Sequence, residues 1–350
     1  MIKLLDYLKN KKTYIIAEMS GNHGGDVNKA FDIIKAAKDA GADCIKIQTY
    51  TADTITINCH NEEFILNGGL WDNRYLYDLY SEGYTPWEWT TDLKEETEKL
   101  GMDFLSTPFD FSAVDCLEKC GLEFYKIASM EIVDIPLIKK VALTGKPVII
   151  SCGMASVEEI QEAIDTFRKY SDREIILLKC CSAYPSKFDD MNILTIPDMI
   201  KRYNTYVGLS DHSNGSIASI AAVVSGACVI EKHICFDKND NTVDSGFSLD
   251  RFEFKRLVDD IRNTEKALGK PTYGPSLDEM NSYKIRRSLY AIKDIKKGEK
   301  FTKDNIKSIR PANGLHTRYY DFLIKNGHAK CDISFGTPLS AELIEESLFD

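Results

Sequence analysis

Short β-rich apolar runs alternate with helical stretches eight times along this chain, and that alternation restricts the possible fold more than any other feature. The runs cover 14–20, 44–50, 103–108, 124–129, 148–153, 175–181, 206–211 and 229–234. Helical patterns lie near 27–40, 87–100, 111–119, 133–143, 156–169, 190–202, 214–225 and 249–267. A strand answered each time by a helix is the unit of a parallel sheet with crossover connections. Eight such units match the (β/α)8 TIM barrel, whose typical size is about 250 residues. An open doubly wound sheet would bring a glycine-rich turn after its first strand, and SGNHGGD at that point lacks the GxGxxG spacing.

The α/β barrel is expected over 1–270. The stretch KPTYGPSLDEMNSYK, poor in apolar residues and punctuated by two Pro and one Gly, reads as a linker over 271–285. The remaining residues, 286–350, carry short alternating strands and turns at Lys297-Gly298 and Asn313-Gly314, the marks of a small β-rich domain. A core that small is marginal, so this domain is expected to lean on the barrel or on a partner subunit. Within the barrel, 51–86 is too long for an ordinary βα connection and carries Trp71, Tyr75, Tyr77, Tyr80 and Tyr84. Two roles stay open for these aromatics and for Trp87 and Trp89: a lid that stacks on a sugar, or packing on the barrel itself.

Acidic residues outnumber basic ones, 54 to 44, and the net charge of -10 argues against nucleic acid as a partner. The lysines of KDIKKGEK therefore read as solvated surface. The apolar runs near Ile149 and Val223 fall far short of the roughly 20 residues a bilayer span needs, so no membrane helix is expected. The opening MIKLLDYLKNKKTYII has no continuous apolar segment or cleavage site, which points to the cytoplasm. The ten cysteines lack the paired spacing of a zinc ribbon or a secreted scaffold and are expected to be reduced, buried thiols. Cys116 and Cys120 share a helix face, but no second ligand pair follows them.

In a barrel enzyme the site sits at the C-terminal ends of the strands, where polar residues interrupt the apolar runs. In order these are Glu18 with Asn22 and His23, Lys46 with Gln48, Thr107, Lys126 with Ser129 and Glu131, Ser151, Ser182 with Tyr184, Ser210 with His212, and His233. A lysine inside IKIQ or YKIAS is costly unless it is paired. Either the two lysines face an anion, a phosphate with a carboxylate given the serines nearby, or each is paired with a barrel acid such as Glu18 or Glu131. His212 and His233 close neighbouring strands, which suits a divalent metal with open positions and equally suits two hydrogen-bonded core histidines. His60, His316 and His328 lie off the strands; His23 has no assigned role.

The segments AEMSGNHGGD, IKIQTYT, STPFD, YKIAS, SCGMAS, CSAYP, GLSDHS and IEKH, in this order, closely resemble the sialic acid synthase family. The tail RRSLYAIKDIKKGE with SIRPANGLH is similar to that family's C-terminal antifreeze-like (SAF) domain. GGLWD, TPWEW, DSGFSLD and RPANGLH look most like its pseudaminic acid branch. The resemblance implies condensation of phosphoenolpyruvate with an N-acetylated amino sugar, here 2,4-diacetamido-2,4,6-trideoxy-altrose, to a nine-carbon 2-keto acid and phosphate. It implies that Lys46, Thr107, Lys126, Ser129, Ser151 and Ser210 hold phosphoenolpyruvate, and that His212 and His233 bind Mn2+, Mg2+ or Co2+. Gln48, Tyr184 and Asp244 match sugar-contacting positions, and Arg310 matches an arginine that the small domain delivers to the site in a domain-swapped homodimer. Glu18 and Glu131 are the candidate proton carriers, with the base unassigned between them. Ser182 stands where the neuraminate branch has Asn, which changes what the sugar can be hydrogen-bonded by. Neuraminate and legionaminate synthesis remain alternatives, as does a Schiff-base aldolase through Lys126. From a different class, the small domain also suits a glycan- or ice-binding protein with an inactive barrel, against which Lys46, Lys126, His212 and His233 all argue.

Overall fold

The computed structural model describes residues 3–346. Eight parallel strands close a barrel in chain order: β1 Tyr14–Glu18, β2 Cys44–Thr49, β3 Asp103–Pro108, β4 Tyr125–Ile127, β5 Val148–Ser151, β6 Ile175–Cys180, β7 Tyr206–Asp211 and β8 Val229–His233. Closure is made by β1 against β8, with Tyr14 opposite Val229 and Glu18 opposite His233. The chain divides into two units, Met1–Gly269 and Lys270–Asp350.

The strands are buried on both sides, so alternation sorts their side chains between two interiors. One set faces the crossover helices: Ile15, Ala17, Ile45, Ile47, Ile127, Ile150, Leu177, Leu209 and Ile230 join helix residues such as Ile33, Leu117, Ile138 and Phe254 in the main core. The other set fills the lumen. Its lower layers are apolar, built from Tyr14, Ile16, Cys44, Leu105, Phe124, Ile149, Ile176, Leu178 and Val229. Leu4 and Leu8 of a helix Lys3–Lys9, which the sequence reading passed over, join this cluster. Gly208 in β7 keeps the lumen open for its neighbours, because a Cβ there would lie 2.8 Å from Val229 Cβ and 2.7 Å from a Leu178 methyl. Moving two residues up each strand turns the same inward face polar: Glu18, Lys46, Thr107, Lys126, Ser151, Cys180, Ser210 and Glu231. The catalytic end is thus a continuation of the core.

The helices start and stop where their caps lie. Asp26 caps Val27–Ala40 by accepting from Asn28 N, and Gly41 ends that helix at φ 92°. Ser156 with Glu159, and Asp250 with Glu253, form capping boxes on Val157–Tyr170 and Arg251–Leu268. The helix expected from 190 begins only at Thr195, because a 3-10 turn at Phe188–Asp190 and a left-handed Asn192 precede it. Segment 51–86 is not a bare loop but contains two helices, Ala52–Ile55 and Leu76–Gly83. No described helix is long and apolar enough to cross a membrane. All ten cysteines are free; Cys44, Cys152, Cys180 and Cys235 are buried as expected, whereas Cys331 is exposed and the others are half-buried.

The second unit pairs β9 Ser288–Ala291 with β10 Ile306–Ile309 in antiparallel register, beside a helix Tyr320–Asn326. Leu289, Ile295, Phe301, Ile306, Leu323 and Ile333 form its core. The stretch read as a linker holds a helical turn, Met280–Lys284, and Lys284 O accepts from Ala312 N, so its C-terminal end belongs to this unit.

Candidate active site

One cavity opens at the C-terminal end of the barrel, and its floor and lower wall are the polar strand ends: Lys46, Gln48, Lys126, Ser151, Cys180, Ser210, His212, Glu231 and His233. Ser129, Glu131, Tyr184 and Asp244 reach it from the loops that follow. Two expected residues lie behind the wall. Thr107 accepts a hydrogen bond from Lys46 Nζ at 3.2 Å, and Glu18 Oε2 forms an ion pair with the same Nζ while its Oε1 accepts from Ser20 N at 2.7 Å. Ser182 stands beside the cavity, its hydroxyl 3.7 Å from Cys180 Sγ. Arg310 belongs to the second unit, where it is exposed.

The alternative in which barrel acids pair the lysines is realised in part. Lys46 meets Glu18, and a carboxylate absent from the sequence reading, Glu231, lies between the lysines at 3.8 Å from Lys46 and 4.0 Å from Lys126. Glu131, the other candidate, pairs with neither. Burial lowers the Lys46 pKa to about 8, with the Lys126 charge acting in the same sense and Glu231 against it. The Lys126 ammonium is tied to Ser151 Oγ at 2.6 Å and Ile127 O at 3.0 Å. Beyond it the wall adds the Ser129 hydroxyl and Gly153. Gly153 N donates to Ser129 Oγ at 3.1 Å, and a Cβ on Gly153 would lie 2.8 Å from that hydroxyl and closer still to Ser182 Oγ. A glycine is required there, and the resulting nook of ammonium, hydroxyls and amide suits a phosphate or carboxylate.

His212 and His233 face each other with ring centroids 5.3 Å apart, and Phe247 packs on both, 4.7 Å from His233 and 6.0 Å from His212. His212 Nδ1 lies 3.0 Å from Cys181 O, an atom that can only accept, so Nδ1 carries a hydrogen and Nε2 is the nitrogen left for a ligand. Burial opposes charge on His212, but the Cys180 thiol beside it and this carbonyl raise its pKa overall. His233 is held neutral, its pKa well below the usual value through burial and then the charges of His212, Lys46 and Lys232. Its buried Nδ1 has no hydrogen-bond partner. Orphaned ring nitrogen next to an imidazole of fixed tautomer fits a divalent metal. Among the described residues no set of three or more His, Cys, Asp or Glu side chains forms a closed cage, so two protein ligands would leave the other positions to water or substrate.

The far wall is apolar. Ile55, Leu66, Leu79, Phe109 and Val243 line it, with Trp71 held by a 2.9 Å bond from its Nε1 to Val243 O. Trp71 and Tyr80 therefore border the cavity, whereas Trp87 bonds Tyr50 O and Trp89 packs on His23, so the aromatic segment divides between cavity lining and packing. His23 is a core histidine: it bonds Thr85 Oγ1 at 3.1 Å and burial lowers its pKa to about 4. Asp244 is buried at the cavity edge, its carboxyl raised mainly by burial and accepting from Gly21 N.

Glu131 is pushed up to about 7, chiefly by burial, with Lys126 pulling the other way and Asp134 adding to the rise. It keeps its proton in the folded protein at pH values where the unfolded chain, near the ordinary 4.5, has lost it. Stability held below the unfolded pKa is therefore lost as pH rises through the folded one. Glu131→Gln should raise Tm near pH 8 and change it little near pH 5, as read in thermal melts; equal shifts at both values would contradict the raised carboxyl.

The NeuB family matches residues 33–273 and the SAF domain matches 286–345. The chain is 45% identical to a pseudaminic acid synthase of Campylobacter jejuni over 94% of its own length and 96% of the relative's. It is 44% identical to one of Helicobacter pylori, covering 95% and 98% of the two chains. The structure superposes on the N-acetylneuraminic acid synthetase of Leptospira borgpetersenii with a TM-score of 0.68 and 34% identity, over 77% of this chain and 90% of that one. A lysine-floored cavity, two facing imidazoles and these likenesses over both units lead to one conclusion: the chain belongs to the NeuB family.

Proposed function

We propose that this chain is a pseudaminic acid synthase, joining phosphoenolpyruvate to open-chain 2,4-diacetamido-2,4,6-trideoxy-altrose with release of phosphate. The observation that carries the reading is the contrast across one cavity. A floor of two ammonium groups and several hydroxyls around Glu231 suits phosphoenolpyruvate, and an apolar far wall suits a sugar with a terminal methyl and two acetamido groups. Lys126, Ser151 and Ser129, whose Oγ accepts from the Gly153 amide, would take one anionic end, and Lys46, backed by Thr107 and Glu18, the other, with Ser210 at the Glu231 side. His212 and His233 would hold the divalent ion, which when bound polarises the sugar aldehyde as a Lewis acid. The enol methylene then forms the new carbon–carbon bond at the aldehyde carbon, water adds to the resulting cationic carbon, and loss of phosphate leaves the keto group. Glu131, whose carboxyl holds its proton to near neutrality, is suited to deliver or accept a proton at the alkoxide or water. Gln48, Tyr184, Ser182 and Asp244 are the polar groups available to the sugar.

The test is phosphate release with phosphoenolpyruvate and Mn2+ against a panel of amino sugars. The diacetamido altro sugar should exceed N-acetylmannosamine in kcat/KM by at least tenfold, because each polar group left unpaired against the apolar wall costs about 1 to 3 kcal/mol. A ratio near one would move the chain to neuraminate synthesis, and preference for the manno-configured diacetamido sugar to legionaminate synthesis.

The same reading extends to assembly and compartment. We propose a cytoplasmic homodimer in which Arg310 completes the partner chain's site; ten free thiols support the reducing compartment. Mixing inactive Arg310→Ala and Lys126→Met chains should regenerate activity, since one of the two mixed sites carries neither lesion. No recovery in verified heterodimers would assign each Arg310 to its own barrel.

A further inference from the structure

The outward faces of β7 and β8 end in a buried ion pair. Most of the layer against the helices is apolar, with the neutral Thr49–Ser106 hydrogen bond and the half-buried Lys179 among the exceptions, but at this rung it holds Asp211 and Lys232, both 1% exposed and 3.0 Å apart. They are cross-strand partners on the last paired rung of the β7–β8 ladder, after Leu209 opposite Ile230 and Ser210 opposite Glu231. The next residue on each strand is His212 or His233.

The Asp211 carboxylate is fully bonded. Asp211 Oδ1 accepts from Ser213 N at 2.8 Å and Ser213 Oγ at 2.7 Å; Oδ2 accepts from Ser219 Oγ at 2.6 Å in addition to Lys232. Lys232 Nζ also donates to Ser213 O. His212 is thus bracketed by two residues fastened to one ammonium, while its own carbonyl accepts from Ser186 N at 3.0 Å. On the other strand, the His233 carbonyl accepts from Leu249 N at 3.0 Å.

A buried ion pair contributes little net stability, since apolar side chains of similar volume serve as well or better. Its place, one residue below both imidazoles and at the point where backbone pairing ends, supplies a different purpose. We infer that Asp211 and Lys232 are a positioning pair that fixes the spacing of His212 and His233 beyond the end of the β7–β8 ladder. The inference rests on the reading of those histidines as the metal-holding pair. Charge and hydrogen bonds act here across the strand layer, from the helix side to the lumen side, without either residue touching substrate.

The experiment compares wild type, the apolar replacement Asp211→Leu/Lys232→Met, and the milder Asp211→Asn and Lys232→Arg. Mn2+ uptake is measured directly from the free-ion paramagnetic resonance signal, alongside Tm and the phosphoenolpyruvate KM. The double replacement should keep or raise Tm and leave the phosphoenolpyruvate KM within about twofold, yet weaken Mn2+ binding at least tenfold. Lys232→Arg, which preserves the charge, should restore most of the affinity, and Asp211→Asn should fall between. Should the double replacement fail to fold, the two milder variants decide by the same Mn2+ reading. Wild-type Mn2+ affinity in folded variants, whatever happens to Tm, would overturn the pair's role. Wild-type protein that takes up no Mn2+ at all would overturn the reading beneath it and this inference together.

Discussion

Replacing Lys126 with methionine should raise the KM for phosphoenolpyruvate ten- to a hundredfold and lower kcat/KM by at least as much. Lys126 is 2% exposed, its ammonium bonded to Ser151 Oγ and Ile127 O, and it forms the cationic edge of the nook closed by Ser129 and Gly153. Loss of one charge-assisted hydrogen bond costs roughly 1.5 to 3 kcal/mol, which is that range of affinity. A second effect adds to it: Glu231 loses one of its two cationic neighbours, so the cavity floor turns more negative as the anionic substrate arrives. Lys46→Met is the harsher change, since it strips the partner from Glu18, a carboxylate with no exposure, and an uncompensated buried charge costs about 3 to 5 kcal/mol. Lys126 is therefore the cleaner probe, with circular dichroism and Tm as controls for folding. An unchanged KM in folded Lys126→Met protein would refute the anion nook. Trapping by borohydride would instead identify an imine at this lysine and an aldolase mechanism.

Thorough removal of divalent metal should lower turnover on the order of a thousandfold, several kcal/mol of lost charge stabilisation at the aldehyde oxygen, and Mn2+, Mg2+ or Co2+ should restore it. His233→Ala should not recover on adding metal. His233 is the better choice for this variant because its Nδ1 is buried without a partner, so its removal leaves no hydrogen bond broken at that atom. His212, by contrast, also packs on Tyr184 at 4.4 Å and bonds Cys181 O, and its loss would disturb the sugar side as well. Full activity in protein shown by elemental analysis to be free of divalent ions would sink the metal's part.

Much of this arrangement is legible in the sequence because barrel strands carry their chemistry where an apolar run is interrupted. Lys46 inside IKIQ and Lys126 inside YKIAS stand out for that reason, and so do the histidines that end their strands. Glu231 is missed by a reading that takes only the histidine closing β8. Alternation alone would have found it, since residues two apart on a strand share a face and Glu231 must point where His233 points. The same rule exposes Asp211 and Lys232 as misplaced charges on the helix side. What no periodicity reveals is the upper wall: Leu66, Val243 and Phe247 come from irregular segments whose approach depends on contacts such as Trp71 Nε1 to Val243 O.

That division between floor and wall has a consequence for how such a barrel can change. Sliding β8 by a single residue would turn Lys232 into the lumen and send Glu231 and His233 out among the helices, so correct closure of the barrel and competence for bond formation are one event. The condensing machinery is thereby locked to the folding code. Much of the apolar wall proposed to meet the sugar hangs on 51–86 and on the turns after β8, which take no part in closing the barrel. Selection for a new sugar can rework those segments freely, and lineages built on this plan are expected to diverge in what they accept long before they diverge in what they do to it.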